Sequence, residues 1–162
     1  MHALYDEWVK LAAYVGHVCI AEKQVIAGAE SCTGGLISAV LTSVNGSSAW
    51  VDRGFVTYSN EAKMELLGVL PATLETYGAV SEETAREMAR GALAHSRATM
   101  AYAVTGVAGP TGGTVSKPVG VVCFGFATVT DVFTMTQHFL GDRNSVREQS
   151  VSFVLQRLAA QR

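Results

Sequence analysis

The chain lacks the features that build a disulfide framework, a metal centre or a membrane anchor. It contains only three cysteines, an odd number, and none of them has the spacing of a zinc-ligand set. No apolar run approaches the length that spans a bilayer, because charged residues interrupt even the alanine-rich N-terminal segment. We therefore expect a reduced, cytoplasmic protein without a signal peptide, a membrane contact or a bound metal.

Positive charge is also scarce. Twelve lysines and arginines stand against fourteen aspartates and glutamates, so the formal net charge is −2, and no segment gathers the basic residues. Nucleic acid is therefore not an expected partner, because domains that bind it carry a basic patch or stripe. Hydrophobic residues, in contrast, make up 49% of the 162 residues, which predicts one domain with a buried core over residues 1–162.

The hydrophobic pattern alternates helices with strands early in the chain and ends in a hairpin and a helix. Helices are predicted over 3 to about 22, from Ser31 or Thr33 onward, and over 61–67, 71–77, 81–96 and 142–158. Strands are predicted over 25–29, 54–58, 100–104, 119–129 and 132–139. The first helix should pack an apolar stripe on a sheet. This order predicts an α/β fold whose mixed sheet is parallel at its centre and antiparallel toward the hairpin.

Two glycine-bearing loops, Ser31–Gly35 and residues 105–113, each follow a predicted central strand. Ligands of open α/β sheets bind at the carboxyl ends of such strands, so we expect both loops to border one pocket. The first turn of a helix has unpaired N–H groups and partial positive charge, so it can hold a phosphate or an oxyanion. Neither loop matches the Walker or the dinucleotide pattern. A simple helix cap and a tight surface loop remain as alternatives.

Ser31 is a candidate nucleophile, and a nucleophilic serine needs a base. The four histidines lie in helical or strand patterns far from either loop. Lys63 is the better candidate, because burial would lower the pKa of its amine and let the neutral form accept a proton. Tyr58 could hydrogen-bond or relay a proton in the same corner. Cys32 is a rival nucleophile, because a thiol at a helix N-terminus has a lowered pKa.

Arg143 and Arg147 lie four residues apart at the start of the last predicted helix. Like charges at this spacing repel each other, and the helix dipole is unfavourable to both. A nearby anion would relieve the repulsion, and so would pairing with Asp142, Glu148 or distant carboxylates.

Seven segments together resemble the CinA C-terminal domain family. They are Ala29–Gly35, Gly46–Trp50, Gly54–Lys63, Gly78–Ser81, Thr105–Pro110, Lys117–Gly120 and Gly141–Arg143. The resemblance covers nearly the whole chain in order. It implies a three-layer α/β/α fold with a mixed, mostly parallel sheet, and a protein that self-associates as a homodimer or higher homo-oligomer.

Members of this family act as nicotinamide mononucleotide deamidases. The resemblance therefore implies hydrolysis of the carboxamide of nicotinamide mononucleotide to nicotinate mononucleotide and ammonia, a step that recycles pyridine nucleotides. The partner would be a small nucleotide substrate, and we expect no cofactor and no metal. An amidase that uses Cys32 as its nucleophile, and a non-catalytic nucleotide-binding accessory protein, remain as alternatives.

The same resemblance assigns roles by motif. Ser31 would be the acylated nucleophile, Lys63 its general base and Tyr58 a supporting group. Our own argument from the helix terminus adds oxyanion donors from the backbone N–H groups of Cys32, Thr33, Gly34 and Gly35. The nucleotide would be held by the later loop and by one arginine, through Thr105, Gly106, Gly109, Gly112, Gly113 and Arg143.

Overall fold

A computed structural model describes residues 2–160, in which helices cover both faces of a five-stranded sheet. The helices are α1 (His2–Ala21), α2 (Leu36–Thr42), α3 (Asn60–Leu67), α4 (Pro71–Tyr77), α5 (Glu82–Ala94) and α6 (Arg143–Ala160). The strands are β1 (Ile26–Glu30), β2 (Val51–Val56), β3 (Met100–Gly106), β4 (Val121–Thr128) and β5 (Val132–His138). None of the helices within this range is long and apolar enough to cross a membrane.

The sheet has the strand order β2-β1-β3-β4-β5. Strand β1 pairs in parallel with β2 and β3, whereas β4 runs antiparallel to both β3 and β5. The prediction of a mixed α/β sheet with a late hairpin is confirmed, although the parallel pairings are half of the total rather than the majority. Since three neighbouring strands are parallel, the loops after β1, β2 and β3 emerge at one edge of the sheet.

Alternating side chains of β3 separate two halves of the core. Tyr102 and Val104 pack with residues of α1, α2 and α6, whereas Ala101 and Ala103 pack with residues of α3 and α5. Small residues let α5 lie directly on the sheet: a Cβ at Gly125 would stand 2.4 Å from the backbone oxygen of Ala85. The result is the predicted arrangement of helix, sheet and helix layers.

The predicted range of helix α1 is confirmed, but the prediction that it packs mainly on the sheet is wrong. It packs chiefly against α6 and α2, which already cover that face of the strands. Trp8 Nε1 in α1 donates a hydrogen bond of 2.8 Å to Ser152 Oγ in α6. The apolar stripe of α1 therefore faces other helices.

The prediction that α2 starts at Ser31 or Thr33 is wrong. The helix begins at Leu36, because Gly34 and Gly35 have φ values of 62° and 98°, a left-handed backbone that a helix cannot continue through. The preceding residues form a tight turn in which Gly34 N donates to Ser31 O at 3.0 Å. This turn, residues 31–35, is called the nucleophile loop below.

Strand β2 and helix α3 also differ slightly from their predicted bounds. Strand β2 starts at Val51, opposite Ile26 of β1, and ends at Val56, so Tyr58 lies beyond the strand. Helix α3 is capped by Ser59, whose Oγ accepts from Ala62 N at 3.0 Å, rather than by Asn60. The bounds of these two elements differ from the predicted ones by at most three residues.

Candidate active site

Ser31 and Lys63 meet in the folded chain, although 32 residues separate them. Lys63 Nζ donates hydrogen bonds to Ser31 Oγ at 3.0 Å and to the backbone oxygen of Thr57 at 2.8 Å. Ser31 directly follows β1, and Lys63 lies on α3, which follows the end of the neighbouring strand β2. The contact is within the reach that a serine nucleophile and its general base require.

The amine of Lys63 is buried without a carboxylate partner. Its residue is only 1% exposed, and the one ion pair within residues 2–160 joins Arg53 and Asp52 elsewhere. Burial lowers the pKa of Lys63 below its usual value of 10.5, because desolvation penalises the ammonium form. The neutral amine, which can accept the proton of a serine hydroxyl, is thus reached at a lower pH than for a solvated lysine.

A cavity of about 260 Å³ opens above this pair. It is lined by Ser31, Cys32, Tyr58, Asn60, Lys63, Ala79, Val80, Thr105, Gly106, Ala108 and Arg143. Tyr58 stands at the exposed rim, where Arg143 Nη2 donates to its hydroxyl at 3.0 Å and Arg143 Nη1 donates to Gly109 O at 2.8 Å. The buried end of the cavity therefore holds the reactive pair, and its mouth carries a cation.

The structure brings seven of the predicted site residues to the cavity. They are Ser31, Cys32, Tyr58, Lys63, Thr105, Gly106 and Arg143. Six others do not line it, namely Thr33, Gly34, Gly35, Gly109, Gly112 and Gly113. Gly112 and Gly113 instead face Val107 and Val119 of their own loop, and Gly109 contributes only the carbonyl that Arg143 binds.

Sequence reasoning missed the wall formed by Ala79 and Val80. These residues lie in the turn between α4 and α5, where Thr105 Oγ1 donates to Ala79 O at 2.8 Å and ties the turn to β3. Their Gly-Ala-Val-Ser motif contributed to the family resemblance, which was the available signal. Asn60 also lines the cavity, although its place at the start of a helix predicts only a capping role.

The N-terminus of α2 is occupied by a residue that the sequence argument left without a role. Glu30 accepts hydrogen bonds from the backbone N–H groups of Gly35, Ile37 and Ser38 at 3.1, 3.1 and 2.8 Å. Gly34 and Gly35 therefore offer no free oxyanion donors. Neither the N–H of Cys32 nor that of Thr33 donates to a backbone oxygen within residues 2–160, and of these two residues Cys32 is the one that lines the cavity.

The thiol of Cys32 differs from its predicted state. Because α2 begins four residues further on, Cys32 does not sit at a helix N-terminus, and its side chain is buried. Burial raises the pKa of Cys32 to about 12. The prediction of a lowered pKa is wrong, and the thiolate, which is the nucleophilic form, is suppressed.

Arg143 and Arg147 both bind backbone carbonyls rather than an acidic side chain. Arg147 Nε donates to Cys32 O and Arg147 Nη2 donates to Thr33 O, each at 3.2 Å. The two guanidinium groups thus reach different loops, which relieves their repulsion without the carboxylate pairing considered above. Arg147 supports the nucleophile loop from outside the cavity.

These groups suit acyl transfer. A serine hydroxyl touches a buried amine, and Cys32, whose N–H donates to no backbone oxygen within residues 2–160, lines the same cavity at the carboxyl edge of parallel strands. No three His, Cys, Asp or Glu side chains within residues 2–160 are grouped so that they could hold a metal ion. Fold and site together define an α/β protein with a serine–lysine pair.

The chain belongs to the CinA C-terminal domain family, whose profile matches residues 9–161. It is 53% identical over 148 residues to the nicotinamide-nucleotide amidohydrolase PncC of Enterobacter agglomerans, a match that covers 91% of this chain and 90% of that protein. It is 48% identical over 154 residues to the protein of the same name from Escherichia coli K12, covering 94% and 93% of the two chains.

A solved structure has the same fold. The competence/damage inducible protein CihA from Agrobacterium tumefaciens superposes with a TM-score of 0.91 at 45% sequence identity, over 94% of each chain. The likeness therefore extends over almost the whole chain in both sequence and structure.

Proposed function

We propose that this protein hydrolyses the carboxamide of nicotinamide mononucleotide to nicotinate mononucleotide and ammonia, through an acyl-enzyme on Ser31. The observation that carries the proposal is the 3.0 Å contact between Ser31 Oγ and the buried Lys63 Nζ. The substrate class comes from the two similar amidohydrolases, which are named for nicotinamide nucleotides. Self-association and a cytoplasmic location stay predictions from the sequence.

In the acylation step, neutral Lys63 accepts the hydroxyl proton as Ser31 Oγ attacks the amide carbon. The hydrogen bond from Lys63 Nζ to Thr57 O at 2.8 Å fixes the amine, so that its lone pair can face Ser31. The oxyanion lies near the N–H of Cys32. When the C–N bond breaks, the Lys63 ammonium returns the proton to the leaving nitrogen, which departs as ammonia.

Deacylation uses the same pair in reverse. Water attacks the ester carbonyl while neutral Lys63 takes one of its protons, and the C–O bond to Ser31 then breaks. The proton passes from Lys63 to Ser31 Oγ, which restores the hydroxyl and releases the carboxylic acid product. Each cycle consumes one water and leaves the enzyme unchanged.

The rim of the cavity suits an anionic nucleotide. Arg143 is the cation at the mouth, and Tyr58, which is 62% exposed, holds one side of its guanidinium. A phosphate that approaches Arg143 would gain a charge-assisted hydrogen bond while the carboxamide points inward to Ser31. Thr105 and Gly106 border the space between the two ends.

The first test is release of ammonia from nicotinamide mononucleotide by the purified protein with a chelator present. We expect equal amounts of ammonia and nicotinate mononucleotide, measured by a coupled enzymatic assay and by chromatography. Free nicotinamide, which lacks the phosphate that Arg143 would bind, should react with a kcat/KM lower by at least about 100-fold. Binding of the mononucleotide without ammonia release would contradict the proposal and favour the accessory-protein alternative.

The second test separates Ser31 from its neighbour Cys32. Replacing Cys32 with alanine keeps the backbone N–H in place and removes a thiol whose pKa is about 12. At neutral pH such a thiol stays protonated, so we expect kcat/KM to remain within about fivefold of wild type. A loss above about 1,000-fold in a folded Cys32→Ala protein would instead support the cysteine mechanism.

A further inference from the structure

Glu30 is a fully buried carboxylate, 0% exposed, at the end of β1. Six hydrogen bonds converge on its two oxygens. Oε2 accepts from Thr33 Oγ1 at 2.6 Å, Gly35 N at 3.1 Å and Ile37 N at 3.1 Å. Oε1 accepts from Ser38 N and Ser38 Oγ, both at 2.8 Å, and from Tyr102 OH at 3.2 Å. A carboxylate accepts at both oxygens, so this side chain satisfies every donor that surrounds it.

Two glycines make room for the hydroxyl donors. A Cβ at Gly28 would stand 2.2 Å from the Tyr102 ring, which crosses β1 at that point to reach Glu30. A Cβ at Gly54 on β2 would stand 2.3 Å from Ser38 Oγ. Any larger residue at either position would displace a partner of Glu30. Glycine at these two positions of β1 and β2 therefore allows Tyr102 and Ser38 to reach the carboxylate.

The carboxylate ties together the two ends of the nucleophile loop. Its own backbone precedes Ser31, while its side chain holds the first turn of α2, five to eight residues further on. Ser31 N donates to Val104 O at 3.0 Å, and Thr57 N donates to Glu30 O at 2.8 Å, so neighbouring strands fix the same point of the backbone. The carboxylate thus adds a side-chain anchor at the start of α2 to the backbone anchors beside Ser31.

We propose that Glu30 is a positioning residue for Ser31, an inference that rests on the proposed function. Glu30 does not line the cavity and so does not touch the substrate. Because Glu30 occupies the N–H groups at the start of α2, the N–H of Cys32, a residue that lines the cavity, is the candidate oxyanion donor in this loop. The effect of Glu30 should therefore appear in the chemical step rather than in substrate binding.

The test is Glu30→Gln, assayed well below its melting temperature. If the amide nitrogen takes the place of Oε1, the hydroxyls of Ser38 and Tyr102 can turn to accept, and only Ser38 N loses its acceptor. The variant should therefore fold, with a melting temperature lower by about 2–10 °C. Because a displacement below 1 Å misaligns the nucleophile, we expect kcat to fall by about 10- to 100-fold. KM should stay within about threefold.

Glu87→Gln is the matched control. Glu87 also uses its carboxylate near a helix start, where it accepts from Leu70 N at 2.8 Å and Thr73 Oγ1 at 2.5 Å beside α4, and it does not line the cavity. This variant should lose stability and keep kcat. Equal kcat losses in both variants, or a wild-type kcat in Glu30→Gln, would overturn the positioning role.

A second readout separates this inference from the choice of substrate. A fluorophosphonate labels a reactive serine in the absence of any nucleotide. The rate at which it labels Ser31 should fall about 10-fold or more in Glu30→Gln but not in Glu87→Gln. If the wild type is labelled yet releases no ammonia from nicotinamide mononucleotide, the proposed substrate fails and the labelling rates decide on Glu30. Absence of labelling in the wild type, or equal rates in all three proteins, would overturn the positioning role.

Discussion

Replacing Ser31 with alanine should lower kcat by at least about 10,000-fold, because it removes the hydroxyl that the Lys63 amine contacts. The adjacent thiol of Cys32 cannot replace it, because burial raises its pKa to about 12. Among the described residues, the hydroxyl of Ser31 hydrogen-bonds only to Lys63, so the fold should lose little. Ammonia release and a thermal melt measure the two effects.

The control for Ser31→Ala is Ser43→Ala. Ser43 Oγ donates to Val40 O at the end of α2, outside the cavity, so its loss removes a serine hydroxyl without touching the site. This variant should retain wild-type turnover. More than about 1% of wild-type kcat in Ser31→Ala would be incompatible with Ser31 as the nucleophile.

Replacing Lys63 with methionine should lower kcat by about 100- to 10,000-fold, the range that a general base contributes. Methionine fills similar space and cannot accept the Ser31 proton. In the wild type, kcat/KM should rise with pH as Lys63 loses its proton, through a pKa that lies below 10.5. The residual activity of Lys63→Met should lack this rise. A pH profile of both proteins provides the measurement.

The lowered pKa of Lys63 also predicts how stability depends on pH. Between the folded-state pKa and the usual value of 10.5, the unfolded chain binds the proton that the folded chain has released. The free energy of unfolding of the wild type should therefore rise with pH relative to Lys63→Met, by at most about 1.4 kcal/mol per pH unit. Urea unfolding of both proteins from pH 7 upward tests this. A difference that stays constant would mean that the pKa of Lys63 is not lowered, and a difference that declines would mean that it is raised.

Element bounds were predictable where local chemistry determines them. Helix α4 spans Pro71–Tyr77 as predicted, because proline favours the first helical position and Gly78 ends the helix. Ser81 caps α5 through a hydrogen bond from Thr84 N at 3.1 Å. Both signals lie within a few residues of the boundary that they mark.

The start of α2 was mispredicted because its cap is not the residue next to the helix. The side chain of Glu30, which precedes the loop, accepts the N–H groups of the first turn instead. The predicted helix starts at Ser31 or Thr33, yet the hydroxyl of Thr33 donates to Glu30 at 2.6 Å rather than accepting an N–H of the helix. The carboxylate reaches back over two left-handed glycines to hold the first turn. Helix propensity depends on neighbouring residues in the sequence, whereas the contact of Glu30 with α2 forms only after the loop 31–35 has folded back on itself.

The candidate site was predictable in its residues and less so in its geometry. The parallel pairing of β1 with β2 places the residues that follow both strands at one edge of the sheet, and this brings Lys63 to Ser31. The predicted parallel sheet therefore indicated this contact. The contact of Arg147 with Cys32 O spans 115 residues and follows from the packing of α6 beside α2, which no local pattern encodes. Glu30 was visible as a charged residue that follows an apolar run, but its six donors come from three parts of the chain: the loop 31–35, the first turn of α2 and strand β3.

The acyl-enzyme on Ser31 can be detected by mass spectrometry of the protein after acid quenching within milliseconds of mixing with nicotinamide mononucleotide. We expect a transient ester on Ser31, located by fragment ions, with the mass of the substrate minus ammonia. Formation of the ester should accompany the first release of ammonia. An adduct on Cys32, or a burst of ammonia while Ser31 remains unmodified, would rule out Ser31 as the nucleophile.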